Sequence, residues 1–147
     1  MKRQLRNKLI AAAVTLLFLA FFVWWGSFDS IRDILSDPAS CKNDTVRLFG
    51  RTGSAYNVPF VGGLYGFSDT SGGMWVITDR DSTAEGRMMY IEATVCINPD
   101  EEVLKLKGKL QKLLDRDIFE GGNIPPILVE KGRGGLVASM KAVRAKK

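Results

Sequence analysis

Residues 67–77 read Phe67-Ser-Asp69-Thr-Ser-Gly72-Gly73-Met-Trp75-Val-Ile77, and their chemistry is that of a tight reversal between two strands. Asp69 can hold a turn through its side chain, and the two glycines accept backbone angles that other residues resist. The stretches Leu64–Ser68 and Met74–Thr78 on either side are short and rich in aromatic and β-branched residues, so a hairpin is expected over 64–78. Upstream, Asp44–Thr52 (DTVRLFGRT) alternates, with Val46, Leu48 and Gly50 on one face and Thr45, Arg47 and Arg51 on the other. That is the pattern of a half-buried strand, and its glycine marks a bend or bulge of the kind small barrels need. Downstream, Arg87–Ile97 alternates again, placing Met89, Ile91, Ala93 and Val95 on one side.

The connecting segments are less regular. Ser27–Asp37 (SFDSIRDILSD) spaces Ile31, Ile34 and Leu35 for a short helix, with Asp29 or Ser30 to cap its start and Pro38 beyond its end. Gly53–Gly63 (GSAYNVPFVGG) is expected to be a long loop, with glycines at both ends and Pro59 inside. Asp79–Gly86 reads as a polar loop or a single helical turn. Asn98-Pro99 followed by acids opens a helix that Val103, Leu106, Leu110 and Leu113 or Leu114 continue, although 103–107 also fits a strand. Ile127–Glu130 is a final short strand, after which Gly132, Gly134 and Gly135 release the chain's end.

Ahead of all this, Leu9–Trp25 runs without a charge and with Thr15 as its only polar residue. As a helix it spans roughly 25 Å, close to the thickness of a bilayer core. Lys2, Arg3, Arg6 and Lys8 precede it with no acid among them, which by the positive-inside rule keeps this end in the cytoplasm and exports the rest. Trp24 and Trp25 fall where an interfacial aromatic belt would sit, and they place bulky rings where a signal peptide needs small residues for cleavage. The alternatives are a cleaved leader and a buried core helix. The segments expected are therefore a basic leader over 1–8, a transmembrane anchor over 9–26, an exported domain over 27–131 and a basic tail over 132–147.

Charge follows the same division. The whole chain has 21 basic and 16 acidic residues, for a net charge of +5. Four of the bases lie in the leader and six between Lys131 and Lys147, so residues 27–130 hold 11 bases against all 16 acids, a net of −5. A mildly acidic domain disfavours phosphate-rich partners. The tail is expected either to lie on anionic headgroups or to remain solvated. Cys41 and Cys96 would be the minimum set for a disulfide in an exported domain, or else two unrelated buried thiols. No histidine is present, which removes the commonest general base, and no nucleophile-elbow, P-loop or zinc-type spacing occurs. Asp69, Asp79 and Asp81 read as turn formers and solvated loop acids, and no metal or cofactor site is expected.

Together the elements suggest a mainly β protein, a small antiparallel barrel with flanking helices behind one transmembrane helix. SIRDILSDP, TVRLFGRT, FSDTSGGMWVI and the Glu85-Gly86 pair before a hydrophobic strand resemble the oligonucleotide/oligosaccharide-binding (OB) fold. More narrowly they are similar to bacterial membrane-anchored or exported OB-like domains. In those, a helix ending in Asn/Asp-Pro precedes a V-x-V-x-G strand and a D-x-x-G hairpin; here Val46, Leu48 and Gly50 fill the first pattern and Asp69 and Gly72 the second. The layout also resembles that of the haem chaperone of cytochrome c maturation, but that family holds haem covalently through a histidine, which this chain lacks.

The resemblance implies a periplasmic or extracellular domain on the bacterial inner membrane. A non-catalytic binding or assembly module is the expected role, touching a protein, peptide or small ligand through loop 53–63 and the hairpin. The candidate contact residues are Tyr56, Val58, Phe60, Tyr65, Phe67 and Trp75, with Arg47 and Arg51 for charge. The apolar loop could equally fold back as a plug over the barrel mouth. The alternative role is binding of single-stranded nucleic acid or another polyanion by stacking on the same rings.

Overall fold

The computed structural model describes residues 2–97, 105, 108–109 and 125–135. Helix α1 (Lys2–Trp25) and the short helix α2 (Ile31–Ser36) are followed by a single 3₁₀ turn (Pro38–Cys41). Five strands come next: β1 (Thr45–Val58), β2 (Gly62–Ser68), β3 (Gly73–Thr78), β4 (Met88–Cys96) and β5 (Ile127–Gly134). They close into a barrel in the order β1-β2-β3-β5-β4, with β4 returning to β1. The β3–β5 pair is parallel and the other four are antiparallel. This is an OB-like barrel, and closure leaves no sheet edge open to another chain.

The alternation read from the sequence sets the interior. Val46 and Leu48 of β1, and Met89, Ile91, Ala93 and Val95 of β4, are all buried in one cluster with Tyr65, Phe67, Met74, Val76 and Leu128. Ile31 and Ile34 of α2 complete it, so the helix acts as a plug, while Leu35 stays exposed. A second, smaller cluster gathers Val58, Leu64, Ile77 and Ile127, with Tyr56, Val61, Trp75 and Val129 against them. Its members are the pleat neighbours of interior residues, so it lies on the opposite face of the sheet.

Three expectations are corrected. Residues 53–58 are strand: β1 is one long curving element whose first half pairs with β4 and whose second half pairs with β2. A register shift between Thr52 and Ala55 absorbs the bend, so the glycine that suggested a loop marks a bulge within a strand. Gly50 sits where β1 swings onto β2. A Cβ there would lie 2.2 Å from the Ser68 carbonyl oxygen, which leaves room for glycine alone. The final strand also runs further than 127–130, reaching Gly134, because β4 pairs with it along its full length.

The third correction concerns sulfur. No disulfide joins Cys41 and Cys96. Cys41 packs against the interior cluster and Cys96 against the second cluster, on opposite faces of the sheet. The helix expected from Asn98 lies mostly outside the described residues; Lys105, Gly108 and Lys109 are helical.

Helix α1 has no buried residues and is long and apolar enough to cross a membrane. Its end is tied to the barrel by rings. Trp24 packs edge-on against both Phe28 and Phe49, with centroids 5.3 and 5.2 Å apart, and Phe28 lies 6.0 Å from Tyr90. The tryptophan expected as an interfacial anchor therefore also packs on β1, and Phe28 beside it reaches β4.

Candidate functional site

The β2–β3 turn is built from Asp69 outward. Its Oδ1 accepts the backbone N–H groups of Ser71 at 2.7 Å and Gly72 at 3.0 Å, and the Ser71 hydroxyl at 2.6 Å. Its Oδ2 accepts the N–H of Ile31 at 2.9 Å, and Ser71 Oγ accepts that of Arg32 at 3.0 Å. The turn thus caps helix α2 from 38 residues away, and Ser30, the N-cap by position, makes no side-chain cap bond. Burial disfavours the charged form of Asp69, but the N–H groups of Ile31, Ser71 and Gly72 and the Ser71 hydroxyl outweigh it and hold the carboxyl below its ordinary value.

Of the expected contact residues, the fold brings Tyr56 and Trp75 together. Their rings lie 6.2 Å apart, half-buried on the outer face of β1 and β3. Beside Trp75 runs a shallow cleft of about 230 Å³ over Gly53, Gly66 and Gly73. Gly53 and Gly66 face each other across β1 and β2 without side chains, which keeps its floor bare.

Phe60 stands at the tip of the three-residue β1–β2 connection, 108% exposed. Pro59 precedes it, and the Val61 N–H closes the turn onto the Val58 carbonyl at 3.1 Å. Phe60 takes a φ of 65° there, a left-handed conformation that bulky residues rarely adopt.

Val58, Tyr65 and Phe67 do not reach the surface. Tyr65 and Phe67 point into the barrel interior, and Val58 into the second cluster. The pleat explains this: Tyr65 and Phe67 share a parity with Val76 across the ladder, and both faces of β2 are covered. Arg47 lies away from the cleft, pairing with Glu92 across the β1–β4 ladder at 3.7 Å. Arg51 is exposed and lines a separate groove of about 480 Å³ together with Trp25, Phe28, Phe49, Asp69 and Met88, where the end of helix α1 meets the barrel.

A polar network inside the barrel was not anticipated. The Tyr65 hydroxyl donates a short hydrogen bond to Glu130 Oε2, Thr78 donates to Oε1 at 3.3 Å, and Arg133 Nε lies 3.6 Å from Oε1. The Glu130 side chain is only 2% exposed, so these partners take the place of water around its oxygens. Burial, and then the bond to Glu130 and its charge, push the Tyr65 phenol far above its ordinary value. The available signal was parity: in Ile-Leu-Val-Glu, Glu130 shares a face with buried Leu128. Among the described residues no group of acids and cysteines is arranged to hold a metal.

No family model matches the chain, and no curated protein matches it. Among solved structures, a chain described as an aspartyl-tRNA synthetase from Leishmania major Friedlin is similar over 73% of this chain, with 16% identity and a TM-score of 0.48. The similar region is 20% of that chain, and the likeness carries no functional assignment.

Proposed function

We propose that this protein is a non-catalytic, membrane-anchored OB-like module that holds a protein partner on the exported side of a bacterial inner membrane. Helix α1 is the anchor, with the basic leader in the cytoplasm. The contact surface is the β1–β2 tip with the Tyr56–Trp75 face behind it. The observation that carries this is Phe60: a large apolar ring, wholly exposed, on a left-handed backbone that costs on the order of 1 kcal/mol or more to hold. Burial of that ring against a partner would return about 2 kcal/mol, enough to offset the strain. The paired rings beside it give the same surface aromatic character, as protein interfaces favour.

A photo-crosslinking residue in place of Phe60, in cells, tests this directly. One discrete protein adduct, lost when Trp75 is changed to Ala, is the expected result. Lipid adducts alone, or none, would refute it. The second reading, stacking of a single-stranded polyanion on Tyr56 and Trp75, is favoured by the bare glycine cleft beside Trp75. Salt-dependent retention of the protein on a polyanion column, abolished by Trp75→Ala, would select that reading instead.

A further inference from the structure

Behind the network at Glu130 lies a recess of about 290 Å³, between the loop after β3 and the end of β5. Ser82, Thr83, Arg87, Arg133, Gly134 and Gly135 line it, above Met89. Arg133 is the unusual member. Its Nε lies 3.6 Å from Glu130 Oε1, and its Nη2 donates to the Asp81 carbonyl at 2.6 Å. Its Nη1 is buried and has no acceptor. That nitrogen carries two N–H donors, and burying a charged donor without an acceptor is costly.

The loop holding the other wall is fastened firmly. Thr52 Oγ1 donates to the Ala84 carbonyl at 2.6 Å and accepts the Arg87 N–H at 2.9 Å, while Ser82 N–H donates to Asn57 Oδ1 at 3.2 Å. Arg87 shares the recess and makes no ion pair with the described residues. Glu130 offsets the charge of Arg133, and its oxygens are engaged by Tyr65, Thr78 and Arg133. The side chains of Asp79, Asp81 and Glu85 are not among the lining groups, and Asp79 is 4.0 Å from Arg80. One uncompensated positive charge, an orphan guanidinium nitrogen, the Ser82 side chain and a Thr83 hydroxyl that donates only to the weak acceptor Met89 Sδ, at 3.6 Å, therefore belong to residues lining a space far larger than the about 30 Å³ of one water.

We propose that this recess is an oxyanion site, taking a phosphate group between Arg133 Nη1 and Arg87 with the Ser82 hydroxyl as a further donor and the Thr83 hydroxyl able to exchange its weak bond to Met89 Sδ for a phosphate oxygen. The two N–H donors of Nη1 are charge-assisted and can each meet a phosphate oxygen, while Nε and Nη2 stay on Glu130 and Asp81. The group could be free inorganic phosphate or the phosphomonoester end of a larger molecule.

Calorimetric titration of the full chain in a neutral detergent, at fixed ionic strength, decides it. Inorganic phosphate and glycerol 3-phosphate are the two probes. Saturable binding of at least one is expected, weakened about tenfold or more in Arg87→Gln, the loss of one charge-assisted hydrogen bond. Arg87 is exposed, so its thermal melting should be unchanged, and Arg87→Lys should recover part of the affinity. Tighter binding of the ester would point to a larger ligand, and equal binding to free phosphate. No saturable binding of either probe, or equal binding by wild type and Arg87→Gln, overturns the proposal.

Discussion

Asp69 in the β2–β3 turn accepts the backbone N–H of Ile31 at 2.9 Å, so a hairpin holds the first turn of a helix that precedes it in the chain by more than thirty residues. The same carboxylate closes its own turn through Ser71 and Gly72. One side chain thus fastens the plug of the barrel to its wall.

Replacing Asp69 with Ala removes the cap and the turn together, and the barrel should lose about 2 kcal/mol in urea denaturation. Ser30→Ala should cost much less, because Ser30 only shares a contact with Ser71 Oγ at 3.0 Å and caps nothing. Equal losses in the two variants would return the capping role to Ser30.

Acid should weaken the fold through the same residue. The Asp69 carboxyl is held below its ordinary value of 3.8, so its contribution to stability is complete above that pH. It is lost as pH falls through the lower folded-state value. Stability measured from pH 6 down to about pH 2 should therefore fall less steeply in Asp69→Asn than in the native chain. Parallel curves would contradict the linkage.

Gly50→Ala should prevent or severely impair folding, since the new methyl carbon would lie 2.2 Å from the Ser68 carbonyl oxygen and 2.9 Å from its carbon. Backbone on both sides cannot yield without opening the barrel, and a cost of several kcal/mol, beyond about 3, is expected. Gly86→Ala meets open space but keeps a φ of 78°, so only about 1 kcal/mol should be lost. Circular dichroism melts of the two variants separate crowding from backbone strain.

Trp24 and Phe49 join helix α1 to the barrel across a 5.2 Å edge-on contact. A double-mutant cycle of Trp24→Ala and Phe49→Ala, read by the stability of the detergent-solubilised protein, should give a coupling of about 1 kcal/mol. A coupling of zero would mean that helix and barrel move independently.

Much of the interior was legible from residue order. Val46 and Leu48, and the Met89–Ile91–Ala93–Val95 series, occupy the positions that two-residue periodicity assigns, because a pleated strand must send alternate side chains to opposite faces. Asp69 and the glycines announced the turn for an equally local reason. Helix α1 is fixed by its own composition.

Other features rest on contacts between distant segments, which no local pattern records. Gly53–Val58 has the composition of a loop, yet Ala55–Val58 pair with β2 and the irregularity at 53–54 joins them to the rest of β1. Tyr65 and Phe67 have the chemistry of a binding surface, yet closure of the barrel turns them inward. Glu130 lies 65 residues from Tyr65, and only the parallel pairing of β3 with β5 brings carboxylate and phenol together. Side-chain parity is a property of one strand, and the sequence determines it alone; the identity of a side chain's neighbour depends on how strands meet, and the tertiary structure decides that.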